Sequence, residues 1–402
     1  MSRKAGLHDN LLFALILSVM IFAPIARGAV RPWSATPVML ILYAAIFLRL
    51  IKTANSADNK LQITRLDLPI FLFSLLAVIS FVFSVYKHDS FYAMLRLFAY
   101  IGLYYLVADG LSGTARRLLV WVAISVGGCL SVYGLLQYFG VLDRSWWFPE
   151  KFLAATYVNH NHFAGYLELV IPAVVMLISA EEGSDKIAAS VALVPCVAAM
   201  ILTQSRGAWM SIILAFMISA VFLIRKGFKI STGFVMAALA MAAIVTVIYF
   251  GKDTIAERVG TITEAREGID VSGGRFMIWQ GAVNMIKERP LTGFGIGNFD
   301  RGFYRFRPEG FNLRAVYAHN EYLQSAAEMG LIAPVAIVWI LALVVFAGLN
   351  SGKGPYSSGC AIGILSLAIH GSVDFNFHIP ANMILFTVWA GVVMGESDDK
   401  RT

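Results

Sequence analysis

The sequence predicts an all-α polytopic membrane protein, and three observations carry that prediction. Its 402 residues are 58% hydrophobic and 14% charged, with a mean hydropathy of +0.71, whereas soluble domains run near a quarter charged. The apolar residues fall in continuous runs of about twenty, the length that crosses a bilayer as a helix. These runs do not alternate polar with apolar residues, which excludes a transmembrane barrel.

Runs lie at roughly 11–26, 33–50, 67–86, 91–108, 118–139, 163–180, 187–204, 208–224, 230–250, 331–348, 357–373 and 380–395. They predict about twelve transmembrane helices. Arg3-Lys4 before Leu11–Ile25 resembles the start of a signal peptide, but further spans follow at once, so an uncleaved first helix is expected. The short turn from 204 to 208 predicts an antiparallel hairpin. With a cytoplasmic N-terminus, fifteen Lys and Arg fall in inside loops (3, 4, 49, 52, 60, 65, 116, 117, 186, 225, 226, 229, 353, 400, 401). The short outside loops hold six: Arg27, Arg31, Lys87, Arg144, Lys151 and Arg206. That bias puts both termini in the cytoplasm. The chain reads as a single membrane domain, residues 1–402, without internal repeats.

The net charge of +7 comes from span ends and one long insert. No basic stripe interleaved with aromatics appears, so nucleic acid is excluded as a partner. Cys129, Cys196 and Cys360 sit in apolar runs and read as packing residues, with neither disulfide nor metal-ligand spacing.

The insert, residues 251–330, forms one large extracytoplasmic loop that contains short helices. It holds ten Lys and Arg: Lys252, Arg258, Arg266, Arg275, Lys287, Arg289, Arg301, Arg305, Arg307 and Arg314. Long loops cross the membrane regardless of charge, so these residues need another explanation. Phe276, Trp279, Val283 and Ile286 follow Ser272-Gly273-Gly274-Arg275 at helical spacing, predicting an amphipathic helix capped by Ser272. Arg275 in its first turn opposes the helix dipole unless an anion shares that end. A solvated arginine, or a pair with Glu267, explains it equally.

Gly293, Gly295 and Gly297 lack the spacing and strand–helix setting of a nucleotide fingerprint, and read instead as a tight turn packed by Phe294 and Phe299. Arg301, Arg305 and Arg307 suit either an anionic substrate or lipid headgroups. His319 precedes a short helix that runs toward Glu328, where an imidazole can serve as a base or as a structural residue.

Other polar groups gather at the same depth. Arg206 lies in Thr203-Gln204-Ser205-Arg206-Gly207; Asn159-His160-Asn161-His162 precedes the sixth run; Asp374, Asn376 and His378 follow the eleventh. Arg96 and Glu168 fall inside apolar runs, where charge is costly and points to function, snorkelling or pairing. His160, His162, Asp374 and His378 form at most a weak metal pattern, and no metal or other cofactor is expected.

Five pieces in order resemble a known family: Ser205-Arg206-Gly207-Ala208; Gly274-Arg275 with Ile278-Trp279; Gly293-Phe294-Gly295-Ile296-Gly297-Asn298-Phe299; Ala318-His319-Asn320-Glu321-Tyr322-Leu323; and Glu328-x-Gly330. Asn159-x-Asn161 with Phe163-Ala164, and His370 with Asp374-Phe375 and Pro380, extend the likeness. Together they resemble the bacterial O-antigen ligase and O-antigen polymerase superfamily, over a core of roughly residues 190–350.

The resemblance implies an inverting, metal-independent glycosyltransferase of the bacterial inner membrane, acting at its periplasmic face. Its donor would be a glycan on undecaprenyl diphosphate. Its acceptor would be a hydroxyl of lipid A–core in a ligase, or another lipid-linked glycan in an O-antigen or exopolysaccharide polymerase. By matched position, Arg206 and Arg275 would hold the diphosphate and His319 would be the base. Arg96, His160, Glu168, Arg301, Arg305 and Asp374 are candidate substrate-lining residues. Two departures are visible. Nothing after Thr402 matches the extra C-terminal region of the protein-glycosylating branch, and His160 stands where the family often has proline. A lipid-linked sugar transporter is the rival class, but paired repeats and midplane charges are missing. A channel or receptor leaves the insert's histidine and arginines unexplained.

Overall fold

The structure, a computed structural model, describes residues 6–55, 63–142, 152–225, 274–312, 314–350 and 354–398. The expected span at 230–250 lies outside the described residues. So do Lys252, Arg258, Arg266, Glu267 and Ser272 of the insert, and the loop charges at 3, 4, 60, 144, 151, 226, 229, 353, 400 and 401.

Among the described residues there is no strand. The helices are α1 (Leu7–Ile25), α2 (Pro32–Ala54), α3 (Asp67–Val82), α4 (Lys87–Ala108), α5 (Gly113–Tyr138), α6 (His160–Ala180), α7 (Gly183–Leu202) and α8 (Arg206–Arg225). The short α9 (Arg275–Glu288), α10 (Phe299–Phe306) and α11 (Glu321–Met329) belong to the insert, and α12 (Ile332–Asn350), α13 (Pro355–His370) and α14 (Pro380–Asp398) complete the bundle. Eight helices among the described residues are long and apolar enough to cross a membrane, while α3 and the Pro380–Gly395 part of α14 are shorter apolar stretches and α13 has 16 residues. This is a multi-pass membrane protein.

The centre of the bundle is α6, buried almost throughout, with α13 packed along it. Gly359 and Gly363, spaced i to i+4, make that contact. A Cβ on Gly359 would fall 2.6 Å from the Ala173 Cα, and one on Gly363 would fall 2.9 Å from the Leu169 carbonyl oxygen. Small residues at this spacing let two membrane helices approach backbone to backbone. The Trp389 indole of α14 ties in by donating to the Leu169 carbonyl at 2.9 Å. The close seam carries the C-terminal end of α13, and hence His370, alongside Glu168.

The turn between α7 and α8 is tight, and the Trp209 indole donates back across it to the Met200 carbonyl at 2.9 Å. The expected hairpin does not form beyond that turn. Instead α7 packs on α5 and α6, while α8 crosses to α13 and α6. Gly207 permits that crossing by seating the first turn of α8 directly on the His370 ring.

The insert builds its own small core from Ile278, Ala282, Met285, Phe294, Phe299, Phe303 and Phe311. The expected apolar stripe of α9 is rotated: Phe276 is 67% and Val283 38% exposed, and the buried face is Ile278, Gly281, Ala282 and Met285. Gly281 sets that face, because a Cβ there would stand 2.4 Å from the Phe303 ring. The helix begins at Arg275 with Gly274 in the capping position at φ 87°, which corrects the expected cap at Ser272.

As expected, Gly293, Gly295 and Gly297 form a turn, all at positive φ, with Phe294 and Phe299 buried beneath it. The turn docks the insert on the bundle. Its Ile296 N–H donates to Ser80 Oγ at 2.8 Å, the Asn298 amide donates to Ser84 and Ser90 Oγ at 2.8 and 2.7 Å, and Ser80 Oγ donates to the Glu328 carbonyl at 2.8 Å. Buried Glu328 completes the dock by accepting from the Gly297 and Phe299 N–H groups at 2.8 and 3.2 Å.

Candidate functional site

The site gathers where the segment before α11 meets the loop joining α13 to α14. His319 occupies a left-handed conformation with φ 49°, one that few non-glycine residues adopt and that costs free energy unless its surroundings enforce it. Its neighbours supply the constraint. The Ala318 carbonyl accepts from the Trp279 indole at 3.0 Å, and its N–H donates to Gln324 Oε1 at 2.9 Å. Asn320 caps α11 by accepting from the Tyr322 and Leu323 N–H groups and donates to the Ser372 carbonyl at 2.9 Å. The Glu321 N–H donates to the Gly371 carbonyl at 2.8 Å. His319 is thus held from both sides.

Its Nδ1 is buried without a hydrogen-bond partner, 3.8 Å from Asp374 Oδ1, while a third of the side chain remains exposed. That spacing is an ion-pair distance rather than a formed hydrogen bond. Burial lowers the His319 proton affinity from its ordinary value; the Asp374 carboxylate pulls it back up and the Arg275 charge pushes it further down, leaving it lowered. A neutral imidazole with Nδ1 turned to a carboxylate presents Nε2 as a base.

Phe375 is the packing hub. Its ring stacks on Tyr317 at 4.4 Å between centroids and meets His319 and His162 edge-on at 4.7 and 4.9 Å. His319, His162, Tyr317 and Phe375 line a cavity of about 620 Å³, together with Arg31, Arg96 and Arg314. A second, mostly apolar cavity of about 250 Å³ runs between α3, α4, α11, α12 and α14. Arg96 and His378 line both cavities and form a shared wall. Burial lowers the His378 proton affinity, but Glu321, at 3.0 Å from its Nδ1, and Glu328 outweigh it and leave the group raised.

Below Asp374 the polar groups continue into the bundle. His370 Nε2 is 3.8 Å from Asp374 Oδ2, its Nδ1 is 2.7 Å from Glu168 Oε2, and Ser366 Oγ donates to Glu168 Oε1 at 2.7 Å. Glu168 therefore pairs rather than snorkels.

The candidates from sequence separate into two sets. His319 and Arg96 line the larger cavity, and Asp374 stands behind His319. Glu168 connects to Asp374 only through His370, so Asp374 and Glu168 line neither cavity. The Arg275 charge reaches His319 although no hydrogen bond or ion pair holds its guanidinium among the described residues. Arg206 opens α8 next to Gly207, whose backbone lies against the His370 ring. His160 stands apart, with Nδ1 2.7 Å from the Thr203 carbonyl oxygen and its ring against Phe152. Arg301 pairs with Asp89 at 3.3 Å over the Tyr86 ring, and Arg305 lies 3.8 Å from Glu288, both well exposed and lining neither cavity. Among the described residues no three His, Cys, Asp or Glu side chains cluster to hold a metal ion. Sequence reasoning left Tyr317 and Phe375 without a role and named His370 only as part of a pattern. The signal for His370 was available in Glu168, an acid in an apolar run that requires a partner.

Comparison with known proteins bears on this arrangement. Residues 191–338 match the family model described as O-antigen ligase. That match supports a place for this stretch in the O-antigen ligase superfamily. The matched stretch contains Arg206, Arg275 and His319, and ends in α12. An uncharacterized protein of Haemophilus influenzae is 27% identical over 130 residues, covering 29% of this chain and 32% of the relative. The chain thus spans about a third of the length of that curated relative.

Proposed function

We propose that this protein is a member of the O-antigen ligase superfamily and an inverting, metal-independent glycosyltransferase of the bacterial inner membrane. It has about twelve spans, both termini in the cytoplasm, and the insert as a periplasmic lid. The donor is a glycan on undecaprenyl diphosphate, and the acceptor is a hydroxyl of lipid A–core. The observation that carries this reading is His319, held in a strained conformation at the wall of the 620 Å³ cavity with Nδ1 turned to Asp374.

His319 Nε2 takes the proton of the acceptor hydroxyl as its oxygen attacks the anomeric carbon. The bond to the diphosphate oxygen breaks on the opposite face, which inverts that centre. The diphosphate leaves with charge that Arg206 and Arg275 hold through paired N–H donors. Asp374 stabilises the imidazolium as it forms, as the carboxylate of a catalytic triad does. The 250 Å³ cavity suits an isoprenoid or acyl chain, with Arg96 at its polar mouth.

A second reading, joining of lipid-linked repeats by an O-antigen or exopolysaccharide polymerase, uses the same chemistry with a different acceptor. A deletion strain separates the two. Full-length polymer stranded on undecaprenyl diphosphate indicates the ligase, and single repeats on the acceptor indicate the polymerase. An unchanged surface glycan sinks both.

A further inference from the structure

The Glu168–His370 pair lies deep in the bundle, 0% and 1% exposed. Two charges sealed among apolar helices lose to desolvation roughly what their attraction returns, and well-packed apolar side chains of similar volume do as well or better. Charge at this depth therefore points to a role beyond cohesion.

Geometry supplies the role. His370 has a carboxylate at each nitrogen: Glu168 Oε2 at 2.7 Å from Nδ1 and Asp374 Oδ2 at 3.8 Å from Nε2. The Asn376 amide nitrogen also stands 3.2 Å from Nδ1, and its own oxygen accepts from Asn382, so the ring is fixed between α6 and the α13–α14 loop. The other Asp374 oxygen is the one 3.8 Å from His319 Nδ1, and it also accepts from the Phe375 N–H at 2.7 Å. On a third side of the ring, a Cβ on Gly207 would fall 2.7 Å from His370 Nε2. Only glycine lets the first turn of α8 close over His370, and the residue before it is Arg206.

We propose that the buried Glu168–His370 pair is a positioning device for both halves of the transfer site, setting the Asp374 carboxylate that orients His319 and seating the helix start that carries Arg206. This rests on the transferase reading above and deepens it. Neither residue reaches the 620 Å³ cavity, so both act through others. A change at residue 168, inside the bundle, is therefore felt at the base and at the donor-binding arginine together.

The test uses the purified full-length protein in lipid nanodiscs, as wild type, Glu168→Gln and Ser366→Ala. Two readouts are taken: kcat and KM for transfer from a diphosphate-linked lipid glycan, and the pH dependence of diethyl pyrocarbonate labelling of His319, resolved by mass spectrometry. The reagent attacks unprotonated imidazole. The charged or titratable groups around His319 are Asp374 from the α13–α14 loop, Arg275 from α9 and His162 from α6. Glu168→Gln removes the carboxylate that holds His370 between itself and Asp374, so Asp374 attends to His319 alone and the labelling midpoint moves to higher pH. With it, kcat falls about tenfold or more, and the donor KM rises several-fold as the seat of Arg206 loosens.

A purely structural role lowers the amount of active protein and leaves KM and midpoint in place, and that result overturns the proposal. Should Glu168→Gln fail to insert, Ser366→Ala removes one hydrogen bond and no charge. It is expected to move KM and kcat in the same directions by about twofold, and unchanged values there also overturn the proposal. A wild type that transfers no glycan defeats the transferase reading, whereas the labelling shift still decides whether residue 168 governs His319.

Discussion

Two regions of this molecule hold charge in opposite ways. On the outer surface of the insert, Arg301 and Arg305 each meet a carboxylate, Asp89 and Glu288, and both arginines stay well exposed. Beneath the insert, His319, a third exposed, is followed inward by Asp374, His370 and Glu168, all three buried. The first region is rich in charge and cheap to alter, since exposed ion pairs contribute about 0–1 kcal/mol. The second is sparse, and every member depends on the next. Abundance of charge is therefore a poor guide to chemistry here. Charge that has been taken out of water is the better one.

The comparison breaks first at His319. A His319→Gln variant is expected to lose transfer by about 10²–10⁴-fold, the range for removing a general base, while inserting and packing normally. Glycan transfer in purified membranes measures this, and retention of full activity would end the proposed mechanism.

The next effect is on pH dependence. His319 must be neutral to act, and its proton affinity is lowered, so transfer rises with pH through a limb below histidine's ordinary range. Arg275 contributes to that lowering and Asp374 opposes it. Residual activity of Arg275→Gln should then show the limb displaced to higher pH, and that of Asp374→Asn to lower pH. Rate–pH profiles that move together in both variants would contradict the assignment.

At the small end lie the surface arginines. Arg301→Ala and Arg305→Ala are each expected to change stability by less than about 1 kcal/mol and to leave transfer near wild type. Thermal unfolding and the same transfer assay check both. A large loss in either would return the insert's outer face to the site.

Much of this was legible in the sequence because the periodicities involved are long or local. Apolar runs of bilayer length located the helices of the bundle, and the glycines at 293, 295 and 297 announced a turn. The stripe of α9 was misplaced because Phe276 and Val283 look like core until the partner surface is known. There Gly281, not a large residue, makes the closest contact by admitting the Phe303 ring. The hairpin after α7 failed for a related reason: a short turn fixes where two helices meet and leaves open which neighbours they follow. His160 and His162 are two residues apart in sequence, yet one binds the Thr203 carbonyl and the other packs on Phe375. The pairing of Glu168 with His370 spans some 200 positions and depends on the Gly359–Gly363 seam, whose register no local pattern reports.

The positive φ of His319 has a consequence for how the site can be dissected. Alanine at this position keeps the backbone penalty while discarding the ring that helps to enforce it. Glycine adopts the conformation freely, so His319→Gly should be more stable than His319→Ala by about 0.5–1 kcal/mol, measurable as a higher melting temperature. It would also leave an imidazole-shaped vacancy on an undisturbed main chain. Free imidazole added to that variant, and not to the alanine one, is the small molecule expected to restore turnover.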